Sequence, residues 1–261
     1  YMQSPNYLSS IQSKVTGATR QRISRKNLGE IPIIFPPLAE QKRIVAKLDA
    51  AFTEIDEAIE STSQKLEESS VLLKILLKSK FVSTGRKEKT FAEVCTLKRG
   101  YDLPKKDRNP GKYPLYSANG ITDYIDEYKV RAPAVVTGRS GTIGEVHYSE
   151  QNIWALNTAL YVKDFKGNLE KYIYYFLESF DLKKYASGAG VPTLNRNFLS
   201  EETVYIDTDD ALQMAVAEKM DDAYSTKEKL DRLLESKMKA LVSLKSAILV
   251  QELLPSQGKA A

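Results

Sequence analysis

The sequence predicts an α+β protein in which a compact mixed domain is inserted between two long helices. Three observations carry that expectation. Two stretches hold apolar residues at alternating steps of three and four within charged flanks. The segment between them is rich in Gly, Pro, Asn and Tyr, and its apolar runs are too short for long helices. A set of residues also recurs 171 positions later, Gly17 as Gly188, so the chain carries the end of a compact domain twice.

Composition bounds the class. Of 261 residues, 42% are hydrophobic, enough for a real core, and the net charge is only +4, which by itself argues weakly for nucleic acid. A single Cys excludes a disulfide scaffold and a cysteine zinc site, and a single His excludes most multi-histidine metal sites. No apolar run approaches the ~20 residues of a membrane span. The first residues, Tyr1 to Tyr7, do not read as a signal peptide. The expectation is a soluble, cytoplasmic protein with no membrane partner.

In chain order, residues 1–35 are read through the repeat. Thr16-Gly17-Ala18, Ile23-Ser24-Arg25 and Leu28-Gly29-Glu30 match Ser187-Gly188-Ala189, Leu194-Asn195-Arg196 and Leu199-Ser200-Glu201. With one extra residue the match continues from Lys47-Leu48-Asp49-Ala50-Ala51-Phe52 to Lys219-Met220-Asp221-Asp222-Ala223-Tyr224. Residues 1–35 are therefore expected to be the tail of a second compact domain, and the chain a fragment or half-length form of a two-repeat protein.

Residues 36–83 follow as the first long helix. Pro36-Pro37 prevents backward extension, and no Gly or Pro interrupts the stretch before Gly85. Val45, Leu48, Phe52, Ile55, Ile59, Leu66, Leu73 and Leu76 form the seam, with Thr62 and Ser69 filling two of its places. Residues 90–206 form the compact domain. Its expected strands are Ala134-Val135-Val136, Ile143-Gly144-Glu145-Val146 and Ala159-Leu160-Tyr161-Val162, with an aromatic helix over 171–184. Residues 209–254 form the second long helix, its seam running through Val216, Met220, Ala223, Leu230, Leu234, Leu241, Leu244 and Ile248, with Lys227 and Lys237 at seam places. Asp209-Asp210 favours its amino-terminal dipole, and Pro255 follows its end. Each helix would be about 65 Å long at 1.5 Å per residue. Neither buries its stripe alone, so the two are expected to pack together. A coiled-coil oligomerisation device shares this pattern.

No convincing catalytic set emerges. Gly138-Arg139-Ser140-Gly141-Thr142-Ile143-Gly144 lacks the Gly-Lys-Ser/Thr end of a phosphate-binding loop and reads as a hairpin turn. Ser4-Pro5-Asn6-Tyr7 only faintly resembles an amino-methyltransferase motif and has no glycine-rich cofactor strand near it. Glu127-Tyr128-Lys129, with Asp123 or Asp126, fits half of a magnesium-nuclease site but has no preceding Pro-Asp. His147 sits in an alternating strand pattern, and Cys95 reads as core.

Binding features are clearer. Lys98, Arg99, Lys105, Lys106, Arg108 and Lys112 cluster, diluted by Asp102 and Asp107 and interleaved with Tyr101 and Tyr113. In the first repeat Lys14, Arg20, Arg22, Arg25 and Lys26 face only Glu30. Such loops suit phosphate contact. Asn119, Arg139, Asn157, Asn195 and Arg196 lie at or beside turns, from which side chains can reach base edges.

These residues also resemble a family. Pro36-Pro37-Leu38-Ala39-Glu40-Gln41-Lys42-Arg43-Ile44-Val45 looks like the start of the spacer helix of type I restriction–modification specificity (S) subunits. Tyr113-Pro114-Leu115-Tyr116-Ser117-Ala118-Asn119-Gly120 resembles a stretch of their target-recognition domains. So do Val136-Thr137-Gly138-Arg139-Ser140-Gly141-Thr142-Ile143-Gly144 and Trp154-Ala155-Leu156-Asn157-Thr158-Ala159, and the stretch from Ala186 through Ala189 and Val191 to Asn195 is similar too. Each match is weak alone, but the ordered set covers nearly the whole chain.

The resemblance implies a non-catalytic DNA-reading subunit, with a target-recognition domain inserted between two antiparallel helices that form a coiled-coil spacer. It implies double-stranded DNA as ligand, probing of half of a bipartite site, two methylation (M) subunits and motor–nuclease (R) subunits as partners, and a self-dimer for a half-length form. No cofactor is expected in this chain, and S-adenosylmethionine would reside in the methylation subunit, which modifies adenine. The DNA-binding set is Arg99, Lys105, Lys106, Arg108, Tyr116, Asn119, Arg139, Ser140, Asn157, Asn195 and Arg196, with no catalytic or metal residue. Helices of about 65 Å compare with about 34 Å per DNA turn, which suits a ruler between half-sites. A type IIG-like partner, a magnesium nuclease using Glu127 and Lys129, and a coiled-coil assembly protein are the competing readings.

Overall fold

The computed structural model describes residues 5–17, 20–33, 36–82, 84–188, 190 and 192–253. Residues 1–4, Ala18, Ala189, Val191 and Pro255 of the stretches read above lie outside the described residues. The elements in order are α1 (Pro5–Gln12), α2 (Arg25–Gly29), α3 (Leu38–Ser79), β1 (Lys87–Thr90), α4 (Phe91–Val94), β2 (Thr96–Arg99), β3 (Pro110–Ser117), β4 (Gly120–Ile125) and β5 (Ala134–Gly138). Then come β6 (Val146–Ser149), β7 (Trp154–Ala155), β8 (Ala159–Asp164), α5 (Glu170–Ser179), β9 (Ala186–Ser187), β10 (Thr193–Leu194), α6 (Arg196–Leu199), β11 (Thr203–Ile206) and α7 (Asp210–Leu253). The chain divides into two units, Ser70–Lys227 and the remainder, and α3 and α7 each run through both.

In the unit outside Ser70–Lys227, α3 and α7 pair antiparallel. Lys47 meets Glu252, Asp56 accepts from Lys245 at 2.7 Å, and Ser69 donates to Asp231 at 3.3 Å. As one number rises the other falls in step, which fixes the direction. The seam departs from the apolar pattern in two ways. Val45 is 55% exposed, and its neighbour Ile44 is the more covered of the two. In α7 Leu230 and Leu244 are exposed, while Asp231 and Lys245 turn toward α3. The reason is pairing: Asp231 takes the Ser69 hydroxyl, and Lys245 both bonds Asp56 and lies 4.8 Å from the Phe52 ring centre. Polar rungs of this kind cost stability but specify register. Thr62, fully buried at a seam place, satisfies its hydroxyl on the Ala58 carbonyl at 2.7 Å.

The Ser70–Lys227 unit is built on a four-stranded antiparallel sheet in the order β2-β8-β5-β6 and a three-stranded sheet in the order β4-β3-β7. β1 pairs with β11, so the two ends of the inserted domain are laced together where they meet the long helices. The main core gathers Leu97, Val135, Leu160, Tyr172, Phe176 and Leu199 from both sheet and helix. The carboxylate of Asp209 accepts from the Leu212 N–H at 3.1 Å, capping α7 where two carboxylates favour a helix start.

Two expected elements are shorter or displaced. The helix expected over 171–184 ends at Ser179, because Phe180 is extended and turns its ring onto Phe91, Phe176 and Tyr185. A separate 3-10 turn, Leu182–Tyr185, then buries Leu182 completely. The strand expected from Ile143 begins only at Val146, since Gly141 and Gly144 hold φ of +86° and +93° in the β5–β6 turn.

The sequence repeat is also structural. Thr16 and Arg22 pair as antiparallel neighbours, as do Ser187 and Thr193. Gly17 and Gly188 share positive φ, +111° and +119°. Ser24 caps α2 by accepting from the Asn27 N–H at 3.0 Å, and Asn195 caps α6 by accepting from the Asn197 N–H at 3.1 Å. Burial distinguishes the copies: Leu199 is fully buried, whereas its counterpart Leu28 is 41% exposed.

Candidate nucleic-acid interface

Sheet register gathers side chains that lie far apart in sequence. Arg99 ends β2, Arg139 follows the last residue of β5, and both strands flank β8. Arg139 is pinned by its backbone, whose N–H donates to the Thr158 carbonyl at 2.8 Å and whose carbonyl accepts from Leu194 N–H at 2.7 Å. Its guanidinium donates to the Asn157 carbonyl at 3.2 Å. Arg99 donates to both oxygens of Asp102, at 2.9 and 3.1 Å, and Asn157 Nδ2 donates to the same carboxylate. Asp102 and Asn157 therefore bridge Arg99 to Arg139. Arg196 closes the far side, its Nη1 donating to the Leu97 carbonyl at 3.3 Å. Together with Asn195 and Asn197, the three arginines line a cleft of about 310 Å³ floored by Leu160.

The arrangement suits an anionic, hydrogen-bonding ligand. Three arginines line the cleft, and the Asp102 carboxylate offsets the charge of Arg99. The Arg99–Asp102 pair is open to water, with side chains 45% and 62% exposed, so it is worth only about 0–1 kcal/mol and is readily exchanged for a phosphate or a base edge. The Arg and Asn side chains of this lining are the residue types that read guanine and adenine edges.

The family model for the type I restriction modification DNA specificity domain matches residues 4–68 and 85–235. The chain belongs to this family. It is 33% identical over 96 residues to the type I restriction enzyme EcoBI specificity subunit of Escherichia coli, covering 36% of this chain and 19% of that one. It is 24% identical over 200 residues to a Mycoplasma pneumoniae protein named as a type I specificity subunit, covering 72% of this chain and 54% of that protein. The chain thus spans about half the length, or less, of these curated relatives. Its fold resembles a chain of a type I R-M system structure addressing complex assembly and conformational transition, with TM-score 0.77, 17% identity, and coverage of 91% of this chain and 65% of the other. The HsdS subunit of Thermoanaerobacter tengcongensis matches with TM-score 0.60 and 16% identity, over 94% of this chain and 67% of the other.

Within this specificity-family fold the candidate residues separate. Arg99, Arg139, Asn157, Asn195 and Arg196 come together, and Ser140 lies beside them through its bridge to Thr193. Lys105 and Lys106 sit exposed on a 3-10 turn after Pro104 and do not line the cleft. Arg108 is drawn back to the Leu103 carbonyl by donors at 3.3 and 3.2 Å. Asn119 is exposed in the β3–β4 turn, its N–H donating to Ser117 Oγ at 3.2 Å. Tyr116 lies only 5% exposed in a core cluster with Val136 and Ile153, which places its ring below the surface instead of on it. Sequence reading missed Asp102 and Asn197. Asp102 had a signal, its i,i+3 spacing from Arg99, whereas Asn197 is recognisable only from the cleft.

The residues singled out for catalysis are otherwise engaged. Lys129 lies 3.6 Å from Glu127 and 5.1 Å from the Trp154 ring centre. Among the described residues no group of three or more His, Cys, Asp or Glu could hold a metal. Cys95 is buried, which pushes its thiol up to about 12. His147 packs on Tyr116 with its Nε2 buried and, among the described residues, without a hydrogen-bond partner. Burial holds its imidazole below the ordinary 6.5, opposed by Glu145, so the unfolded chain takes up the proton first. The stability from the neutral ring is therefore present above about pH 6.5 and lost as pH falls below it. His147→Phe is expected to flatten the fall of the urea midpoint as pH drops below about 6.5, and an unchanged pH profile would refute this.

Proposed function

We propose that this chain reads DNA sequence as part of a type I specificity subunit and is itself non-catalytic. The observation that carries this reading is the Arg99–Arg139–Arg196 cleft, set in a domain of the DNA specificity family. The inserted unit supplies the reading surface, and the 42- and 44-residue helices α3 and α7 serve as the spacer on which partners dock. Those partners are methylation subunits, two in the full assembly, which bring S-adenosylmethionine and modify adenine at the site chosen by this chain, and motor–nuclease subunits that restrict unmodified DNA. The complex works in the cytoplasm. Among the described residues no helix is long and apolar enough to cross a membrane.

Co-expression with the methylation subunit tests this. Stable co-purification and adenine methylation at one motif in a mixed DNA pool is the expected result. Absence of both would leave the helix pair as an assembly device. Arg139→Ala should cost about 1–3 kcal/mol at a single base position, the value of a bidentate contact to a base edge. Lys105→Ala, outside the cleft, should weaken all sequences alike and lower the salt dependence. Equal losses on cognate and random duplexes in Arg139→Ala would remove Arg139 from base reading.

A further inference from the structure

The repeat places a second cationic surface on this chain, outside the Ser70–Lys227 unit. Its backbone frame is the one that builds the far wall of the arginine cleft: an antiparallel pair, a glycine with positive φ, and a side-chain-capped short helix. The residues displayed on that frame differ. Where the cleft wall carries Thr193, Asn195, Arg196 and Asn197, the first copy carries Arg22, Ser24, Arg25 and Lys26. One cation has become three at corresponding positions.

Their surroundings leave this charge available. Arg20, Arg22, Arg25 and Lys26 are exposed, and among the described residues none of them is in an ion pair. The nearby carboxylate, Glu30, is taken by Lys14 at 3.0 Å. In the cleft, by contrast, Arg99, Arg139 and Arg196 are each aimed by a bond to a neighbouring oxygen. Long cationic side chains that are not aimed supply attraction without the fixed geometry that a bidentate base contact requires.

We infer that Arg22, Arg25 and Lys26 form a second DNA contact that grips duplex phosphates without reading bases. The inference rests on the DNA-reading function proposed above and adds a site to it. Two repeats of one frame then divide the work. The aimed arginines of the second copy discriminate sequence, and the unaimed cations of the first add affinity that salt removes.

The test is the salt dependence of duplex binding by the full chain, with Arg22→Gln/Arg25→Gln/Lys26→Gln compared with the unaltered protein. Loss of three phosphate contacts should shrink the affinity difference between about 50 and about 200 mM salt by roughly 40-fold, equally on cognate and random duplexes. Arg22→Lys/Arg25→Lys should keep the original salt dependence, which separates charge from folding. An unchanged salt dependence in the glutamine variant, with binding by the unaltered chain intact, overturns this contact alone. If that variant instead loses binding to polyglutamate while keeping its DNA salt dependence, the surface belongs to an acidic protein and the inference falls. A chain that binds no duplex at all removes both this contact and the reading function.

Discussion

Gly138→Ala is expected to destabilise the Ser70–Lys227 unit by about 3 kcal/mol or more, the upper end for overpacking a buried site. A Cβ built on Gly138 falls 1.7 Å from the Thr142 carbonyl oxygen and 3.1 Å from that of Ala118. Both obstacles are backbone, so no rotamer change relieves them. β5 is buried along its whole length, and the residue after Gly138 is Arg139, so the substitution strikes the core and the cleft together. Chain that still folds must open the β5–β6 turn and move Arg139, and should bind cognate DNA no better than random DNA. Gly141→Ala is the contrasting case. Nothing lies within 4 Å of its added Cβ, and only the positive φ of +86° is strained, at a cost of about 1–2 kcal/mol. Urea denaturation of both variants decides the matter. A Gly138→Ala midpoint equal to that of Gly141→Ala would show that the turn yields without cost.

Arg86→Ala is expected to cost about 3–5 kcal/mol, because it strands a buried carboxylate. Arg86 Nε donates to Asp207 Oδ2 at 3.1 Å, with side chains only 14% and 9% exposed. The same oxygen accepts from the Tyr172 hydroxyl at 3.2 Å, and the Asp207 N–H donates back to that hydroxyl at 2.9 Å. Burial pushes the Tyr172 phenol up to about 12, so it stays a donor through the neutral range. Gln213 completes the network, donating to the Asp207 carbonyl and to Asn168 Oδ1, each at 2.7 Å. Removing the cation alone leaves the carboxylate desolvated and unpaired. Arg86→Ala/Asp207→Asn should therefore recover part of the loss. A double variant no more stable than Arg86→Ala would assign the cost to lost packing of the arginine stem.

Local chemistry was legible along the chain. Seam spacing and Pro36-Pro37 anticipate α3, which starts at Leu38, and Asp209 stands where it caps α7. The repeat, read from three short stretches, returns as paired backbone, a shared positive-φ glycine and two side-chain caps. These features depend on neighbours within a few residues, and sequence displays such neighbours directly. The late start of β6 came from the local glycines of its turn, whereas at the aromatic helix and along the α7 seam a distant partner intervened. Phe180 leaves the helical pattern for Phe91, and Asp231 and Lys245 displace Leu230 and Leu244 because Ser69 and Asp56 wait across the pair.

The site divides the same way. Arg99, Arg139, Asn157, Asn195 and Arg196 could be named as binding residue types at turns, and Lys105, Lys106 and Asn119 looked equally eligible. Only the β2-β8-β5 register puts Arg99 beside Arg139, and only the β9–β10 pair brings Arg196 to the same cleft. Tyr116 shows the limit most plainly, since a tyrosine in a polar, turn-rich stretch reads as surface until the sheet covers it. The sequence by itself determined the two long helices, the repeated frame and the family. The tertiary structure decided which cations converge, because convergence depends on strand pairing between residues tens of positions apart, and no local spacing encodes it.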